Sequence, residues 1–193
     1  MSNINKNLLT ESFRNLSVCL CLLPLSVGLS FAQTSEPQAE PSEDVIEVTV
    51  QNAPSTVFNL INTKTYKNSE VRELLDLILT FPRPEVGEIQ MAEQLNSYGT
   101  KAFSEKNYSL AAKLFTRAVK ANPSSTAFWC NLATASIKAG DFQTAQSAAL
   151  QALVLHPYHR DTWDLMRQAC EGTGNETCRK NAELIFQAMQ PVS

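Results

Sequence analysis

The sequence predicts an all-α fold: a short stack of helix–turn–helix units, preceded by one helix and a short β-hairpin. Three observations carry this. From Ala92 onward the chain repeats itself with a period of 34, so that Trp163 follows Trp129 at that distance. Small and large residues recur at fixed places within each period, as two closely crossed helices require. Each of the first two periods closes on a proline, Pro123 and Pro157, which stops one helix and opens the next unit.

The chain has 193 residues, is 44% hydrophobic and 18% charged, and carries a formal charge of −3. That is ordinary globular material, long enough for one domain with appendages. No basic run is interleaved with aromatics, so nucleic acid is excluded as the expected partner.

The first 32 residues read as a signal peptide. Lys6 and Arg14 precede an apolar stretch from Leu16 to Phe31 that Pro24 and Gly28 interrupt. Ser30-Phe31-Ala32 offers small residues for cleavage after Ala32. A membrane span needs roughly 20 apolar residues, and this run is shorter. The expectation is therefore a periplasmic or secreted protein. The alternative is an uncleaved N-terminal anchor facing the periplasm, which would be the only tie to a membrane. Export would place Cys130, Cys170 and Cys178 where disulfides persist.

Residues 33–44 hold Pro, Ser, Gln and acids with little to bury, and read as a disordered linker. Residues 45–84 form an extension of different character. Ile46, Val48 and Val50 alternate on one face, Gln51–Ser55 reads as a turn, and Val57–Ile61 as a second short strand. From Ser69 to Thr80 the pattern becomes helical. Ser69 is the expected cap, and Val71, Leu74, Leu75, Ile78 and Leu79 form one stripe. Pro82 and Pro84 end that helix, and Pro84 is the expected first residue of the next, with Glu85 and Glu88 in its first turn.

Residues 85–190 hold the repeats. Gly99–Phe103 aligns with Ala133–Ile137, Ala111 with Ala145, Ala118 with Ala152, and Asn122-Pro123 with His156-Pro157. This arrangement resembles the tetratricopeptide repeat family, whose 34-residue unit carries Trp-x2-Leu-Gly-x2-Tyr followed by Ala, Phe, Ala and Pro. Trp129, Leu132, Ala145, Ala152 and Pro157 match in the second unit. Leu95, Tyr98, Gly99, Ala111, Phe115, Ala118 and Pro123 stand in the first, with Leu95 in place of tryptophan and Ala102 in place of tyrosine. A third unit opens at Trp163 and is expected to diverge, as a shortened pair Asp161–Cys170 and Cys178–Met189 around a longer, looser turn.

The resemblance implies an exported bacterial member of that family, a protein-interaction scaffold whose partner segment lies along the concave face lined by the first helix of each unit. Carried over, that face comprises Glu93, Asn96, Thr100 and Phe103, then Ala127, Cys130, Thr134, Ile137 and Lys138, then Asp161, Asp164 and Gln168. It runs from polar and aromatic through apolar to acidic, which suits a segment with an apolar anchor and a basic end. One subfamily holds chaperone C-termini with a lysine–asparagine–arginine clamp. Asn131 stands at one clamp position here, but Asn96, Thr100, Asp161 and Leu165 occupy the others, so the cationic clamp is lacking. Assembly of an envelope or secretion complex is the expected role, with a self-assembling, homo-oligomeric envelope component as the alternative.

Cys170 and Cys178 flank the third turn, where antiparallel helix ends would meet. A disulfide there is expected to contribute about 2–3 kcal/mol by the chain-entropy model, two free thiols being the alternative. His156 and His159 lack further ligands at metal spacing. His156 is expected to cap the helix before it. No phosphate loop, nucleophile elbow or zinc-protease motif occurs, so no catalytic residue, metal or cofactor is expected.

Overall fold

The computed structural model describes residues 47–189; the expected signal peptide, the expected linker, Val45 and Ile46 lie outside them. The described residues hold eight helices and no strand. In chain order these are α1 (Ala53–Thr63), α2 (Asn68–Leu79), α3 (Ile89–Ser104), α4 (Tyr108–Ala121), α5 (Thr126–Ala139), α6 (Phe142–Leu155), α7 (Arg160–Gly172) and α8 (Glu176–Ala188). All eight belong to one compact unit.

The expected hairpin is corrected by α1. Within 45–61 the segment Val57–Ile61 is helical, and the supposed turn is its N-terminus. Thr49 N–H donates to Asn52 Oδ1 at 2.7 Å and Asn52 N–H to Thr49 Oγ1 at 3.3 Å, folding the chain into a helix start. Pro54 sits in the first turn, where its missing N–H costs nothing. Ala53, Val57, Leu60 and Ile61 then fall on one buried face at helical spacing.

Helix α2 lies close to expectation but is capped differently. It begins at Asn68, and Glu70 Oε2 accepts from the Lys67 N–H at 2.7 Å, so Ser69 is not the cap. Val71, Leu74, Leu75 and Ile78 are buried as the stripe requires.

Helix α3 starts at Ile89, not at Pro84. Residues 82–88 form no helix and are tied to the end of α4. Glu88 N–H donates to Ala121 O at 2.8 Å and Gly87 N–H to Asn122 Oδ1 at 3.2 Å. A Cβ on Gly87 would lie 2.0 Å from Ala121 O, so only glycine admits this approach.

The stack consists of α3–α4, α5–α6 and α7–α8, each pair in turn packing on the next. Alanines 111, 118, 145, 148, 149 and 152 are buried where helices cross, and the Phe115 ring fills the space over Gly99. Trp129 Nε1 donates to Pro123 O at 2.8 Å and Trp163 Nε1 to Pro157 O at 2.7 Å. Each tryptophan thus ties its helix to the proline that opens the unit.

The third unit is neither shortened nor loosely turned. The turns at Asn107, Asp141 and Asn175 are one structure repeated every 34 residues. In each, the cap N–H donates 2.9 Å to a carbonyl five residues back, on Ala102, Ser136 and Cys170. The cap side chain then accepts from Leu110, Thr144 and Cys178 N–H. The residue before each cap is left-handed: Lys106 at φ 62°, Gly140 at 79° and Gly174 at 72°. Divergence is confined to side chains, Arg179 and Phe186 standing where the earlier units have alanine.

Candidate functional site

The first helices α3, α5 and α7 carry the twelve residues singled out from the sequence. Glu93, Thr100, Ala127, Lys138 and Asp161 are exposed. Asn96, Phe103, Cys130, Thr134, Ile137, Asp164 and Gln168 are half-buried. Two polar bridges join neighbouring first helices across this face. Asn131 Nδ2 donates to Asn96 Oδ1 at 2.8 Å, linking α5 to α3. Cys130 Sγ lies 3.4 Å from the Thr162 hydroxyl, which is also 2.8 Å from His159 Nδ1, linking α5 to α7.

Burial pushes the Cys130 thiol up from its ordinary range. Thr100 and Thr134 occupy the same place in successive units and donate their hydroxyls to Asn96 O at 3.0 Å and Cys130 O at 2.8 Å. Phe103 stacks edge-on against Tyr108, with centroids 5.1 Å apart. These contacts hold the side chains in fixed positions along the face.

At the acidic end the structure adds a residue that sequence reasoning missed. Arg167 donates to Asp164 Oδ1 from Nε at 2.9 Å and from Nη2 at 2.7 Å, while Gln168 Nε2 donates to Asp164 Oδ2 at 2.7 Å. Arg167 also pairs with Glu171 at 3.3 Å and Glu183 at 3.1 Å. Asp164 is therefore already engaged, whereas Asp161 remains exposed in the first turn of α7. The i,i+3 and i,i+4 spacing of Asp164 and Glu171 about Arg167 was the available signal.

The opposite side of the stack is roofed. Helices α1 and α2 pack on α6 and α8, the second helices of units two and three. Asn181 of α8, 1% exposed, fastens them. Its Nδ2 donates to Ile61 O at 2.8 Å and Lys64 O at 2.7 Å, and its Oδ1 accepts from Tyr66 N–H at 3.1 Å. Cys170 and Cys178 are joined with their Cα atoms 5.8 Å apart, stapling α7 to α8.

Among the described residues no group of three or more His, Cys, Asp or Glu is arranged to hold a metal. His156 ends α6 through its backbone, and its ring lies 5.7 Å from that of His159. No helix among the described residues is long and apolar enough to cross a membrane.

No family model matches the chain. A curated relative, the small glutamine-rich tetratricopeptide repeat-containing protein 2 of Mycosarcoma maydis, is 30% identical over 91 residues, 47% of this chain and 26% of the relative. The match spans about a quarter of that relative's length. Among solved structures, the first tetratricopeptide domain of Spaghetti (RPAP3) bound to an HSP90 peptide aligns at TM-score 0.49 and 22% identity, covering 54% of this chain and 84% of that one. The Sgt2 tetratricopeptide domain of Aspergillus fumigatus aligns at TM-score 0.48 and 27% identity, covering 55% and 71%. The chain is similar to tetratricopeptide proteins over its repeats.

Proposed function

We propose that this protein is a non-enzymatic interaction scaffold that binds a segment of a partner protein along the first helices α3, α5 and α7. The observation that carries the reading is the asymmetry of the stack. Its own N-terminal helices occupy the outer side of units two and three, while Glu93, Thr100, Ala127, Lys138 and Asp161 stay exposed on the first helices. The bridges through Asn96–Asn131 and Cys130–Thr162 hold this face in one shape, so a partner does not have to order it on binding.

The face favours a segment with an apolar anchor near Phe103 and Ile137 and a cationic end toward Asp161. An acidic C-terminal peptide is a poor fit, since the clamp positions carry Asn96, Thr100, Asp161 and Leu165 in place of cations. The N-terminal signal and acidic linker support an exported protein acting in assembly of an envelope or secretion complex. Periplasmic residence is part of this proposal.

The test is cross-linked pull-down of the tagged protein from its native cells, with mass spectrometry. Links from Lys138 to a recurrent envelope protein, lost on replacing Phe103 and Asp161 with alanine, are the expected result. Recovery of its own peptides alone, in intermolecular links, would replace the scaffold with self-assembly.

A further inference from the structure

The outer side of the stack differs from unit to unit. Lys113, Arg117 and Lys120 on α4 align in the repeat with Ser147, Gln151 and Val154 on α6, and with Asn181, Ile185 and Ala188 on α8. Val154, Asn181 and Ile185 are buried where α1 and α2 roof units two and three. On unit one the same side is exposed and cationic. Lys113, Arg117 and Lys120 recur at i, i+4 and i+7 on one stripe of α4, all exposed, with Lys101 and Lys106 exposed at the turn. None of the five makes an ion pair among the described residues. Glu105 is the one acid between Gly99 and Ser124.

Unit one also exposes apolar side chains. Val86 is 66% exposed, Tyr98 62%, Ile89 and Met91 52%, and Leu110 45%. Tyr98 aligns with Leu132 and Met166, which are buried within the stack at 4% and 0%. Among the described residues, Tyr98 thus leaves exposed a position that is covered in the other two units. Contacts between Gly87 and Ala121, Gly99 and Phe115, and Asn107 and Ala102 fix α3 antiparallel to α4. That pairing sets Met91 near the level of Lys120 and Tyr98 near that of Lys113.

We infer that the outer edge of unit one is a second docking surface, for an acidic amphipathic helix of another protein. Charge complementarity selects the acid: Lys113, Arg117 and Lys120 form an exposed stripe with no ion pair among the described residues. The repeat selects the helix, because Leu132 and Met166 are covered within a stack built of helices. From Lys113 to Lys120 the stripe rises about 10 Å along α4, the reach of two helical turns carrying glutamates at matching spacing. The occupant presents an apolar stripe to Tyr98 and Met91 and carboxylates to the lysines. Met91 and Tyr98, seven residues apart, share a stripe of α3 separate from that of Glu93, Asn96 and Thr100.

The test uses the full chain and a fluorescent 18-residue probe peptide with leucines at three- and four-residue spacing flanked by glutamates. A scrambled peptide of the same composition, phosphatidylglycerol vesicles and sedimentation of the protein alone run beside it. The expected result is binding that weakens with salt, at least tenfold on scrambling and at least tenfold in the K113E/R117E protein. Arg72→Glu, an exposed cation on α2, leaves it unchanged. K113A/R117A and Tyr98→Ala, checked for native circular dichroism, weaken it in parallel. Equal binding of the scrambled peptide, or indifference to K113E/R117E, overturns the proposal. So does binding to the vesicles without binding to the peptide, or a dimer of the chain that Tyr98→Glu dissociates.

Discussion

Asn181 of α8 accepts a hydrogen bond from the Tyr66 N–H across 115 positions of sequence, at 3.1 Å. Through this amide and its two donations to Ile61 O and Lys64 O, the loop between α1 and α2 is fastened to the last helix. The N-terminal helices become part of the stack without lying in repeat order. Loss of the amide takes a partner from two carbonyls and one N–H at a largely buried junction. Asn181→Ala should cost about 2–4 kcal/mol. Hydrogen exchange should show residues 53–79 opening first, with α3–α6 still protected.

Tyr66 gives the same junction a pH dependence. Its hydroxyl donates to Leu60 O at 2.8 Å, and burial, then the Glu70 carboxylate, push its pKa up to about 12. The folded pKa is raised above the unfolded value near 10. This contribution is therefore complete below pH 10 and lost as pH rises toward 12. Melting temperature should fall across that window, and Tyr66→Phe should flatten the fall while lowering stability at pH 7 through the missing bond.

The repeated turn predicts a stabilising change. Lys106 holds at φ 62° the place that Gly140 and Gly174 fill in the other units. Lys106→Gly should stabilise by about 0.5–1 kcal/mol by removing left-handed strain, read as a rise in denaturant midpoint. Gly140→Ala should shift the midpoint the other way by a similar amount, although a Cβ there meets nothing within 4 Å.

Gly87 gives the opposite case, a close approach to backbone without positive φ. Gly87→Ala must move the Ala121 carbonyl and with it the bond to Glu88 N–H. A loss of about 2–3 kcal/mol is expected by thermal unfolding, with exchange protection falling at Glu88 and Ala92.

The repeat architecture was legible because packing imposes periodicity. Trp129 and Trp163, the alanines at the crossings and the closing prolines state it directly. Cys170 and Cys178 were legible for the same reason, since antiparallel helices on a short turn must bring their ends together. Helix α1 was misread because Val57–Ile61 is too short and β-branched for periodicity to decide, and the Thr49–Asn52 exchange that starts the helix was overlooked. The third turn was misread because Gly172 beside Gly174 suggested looseness. The spacing of Asn107, Asp141 and Asn175 held the answer. The place of Gly87 depends on a contact distant in sequence, which no local pattern encodes.

The central claim is that partner protein lies along the first helices while α1 and α2 occupy the opposite side. A photo-crosslinking amino acid placed at Ala127 and, separately, at Ser147 of α6 in the native cell tests it most directly. The account predicts a discrete adduct with another protein from Ala127 and none from Ser147. Adducts from Ser147 alone, or from Ala127 only to a second copy of the chain, would contradict it.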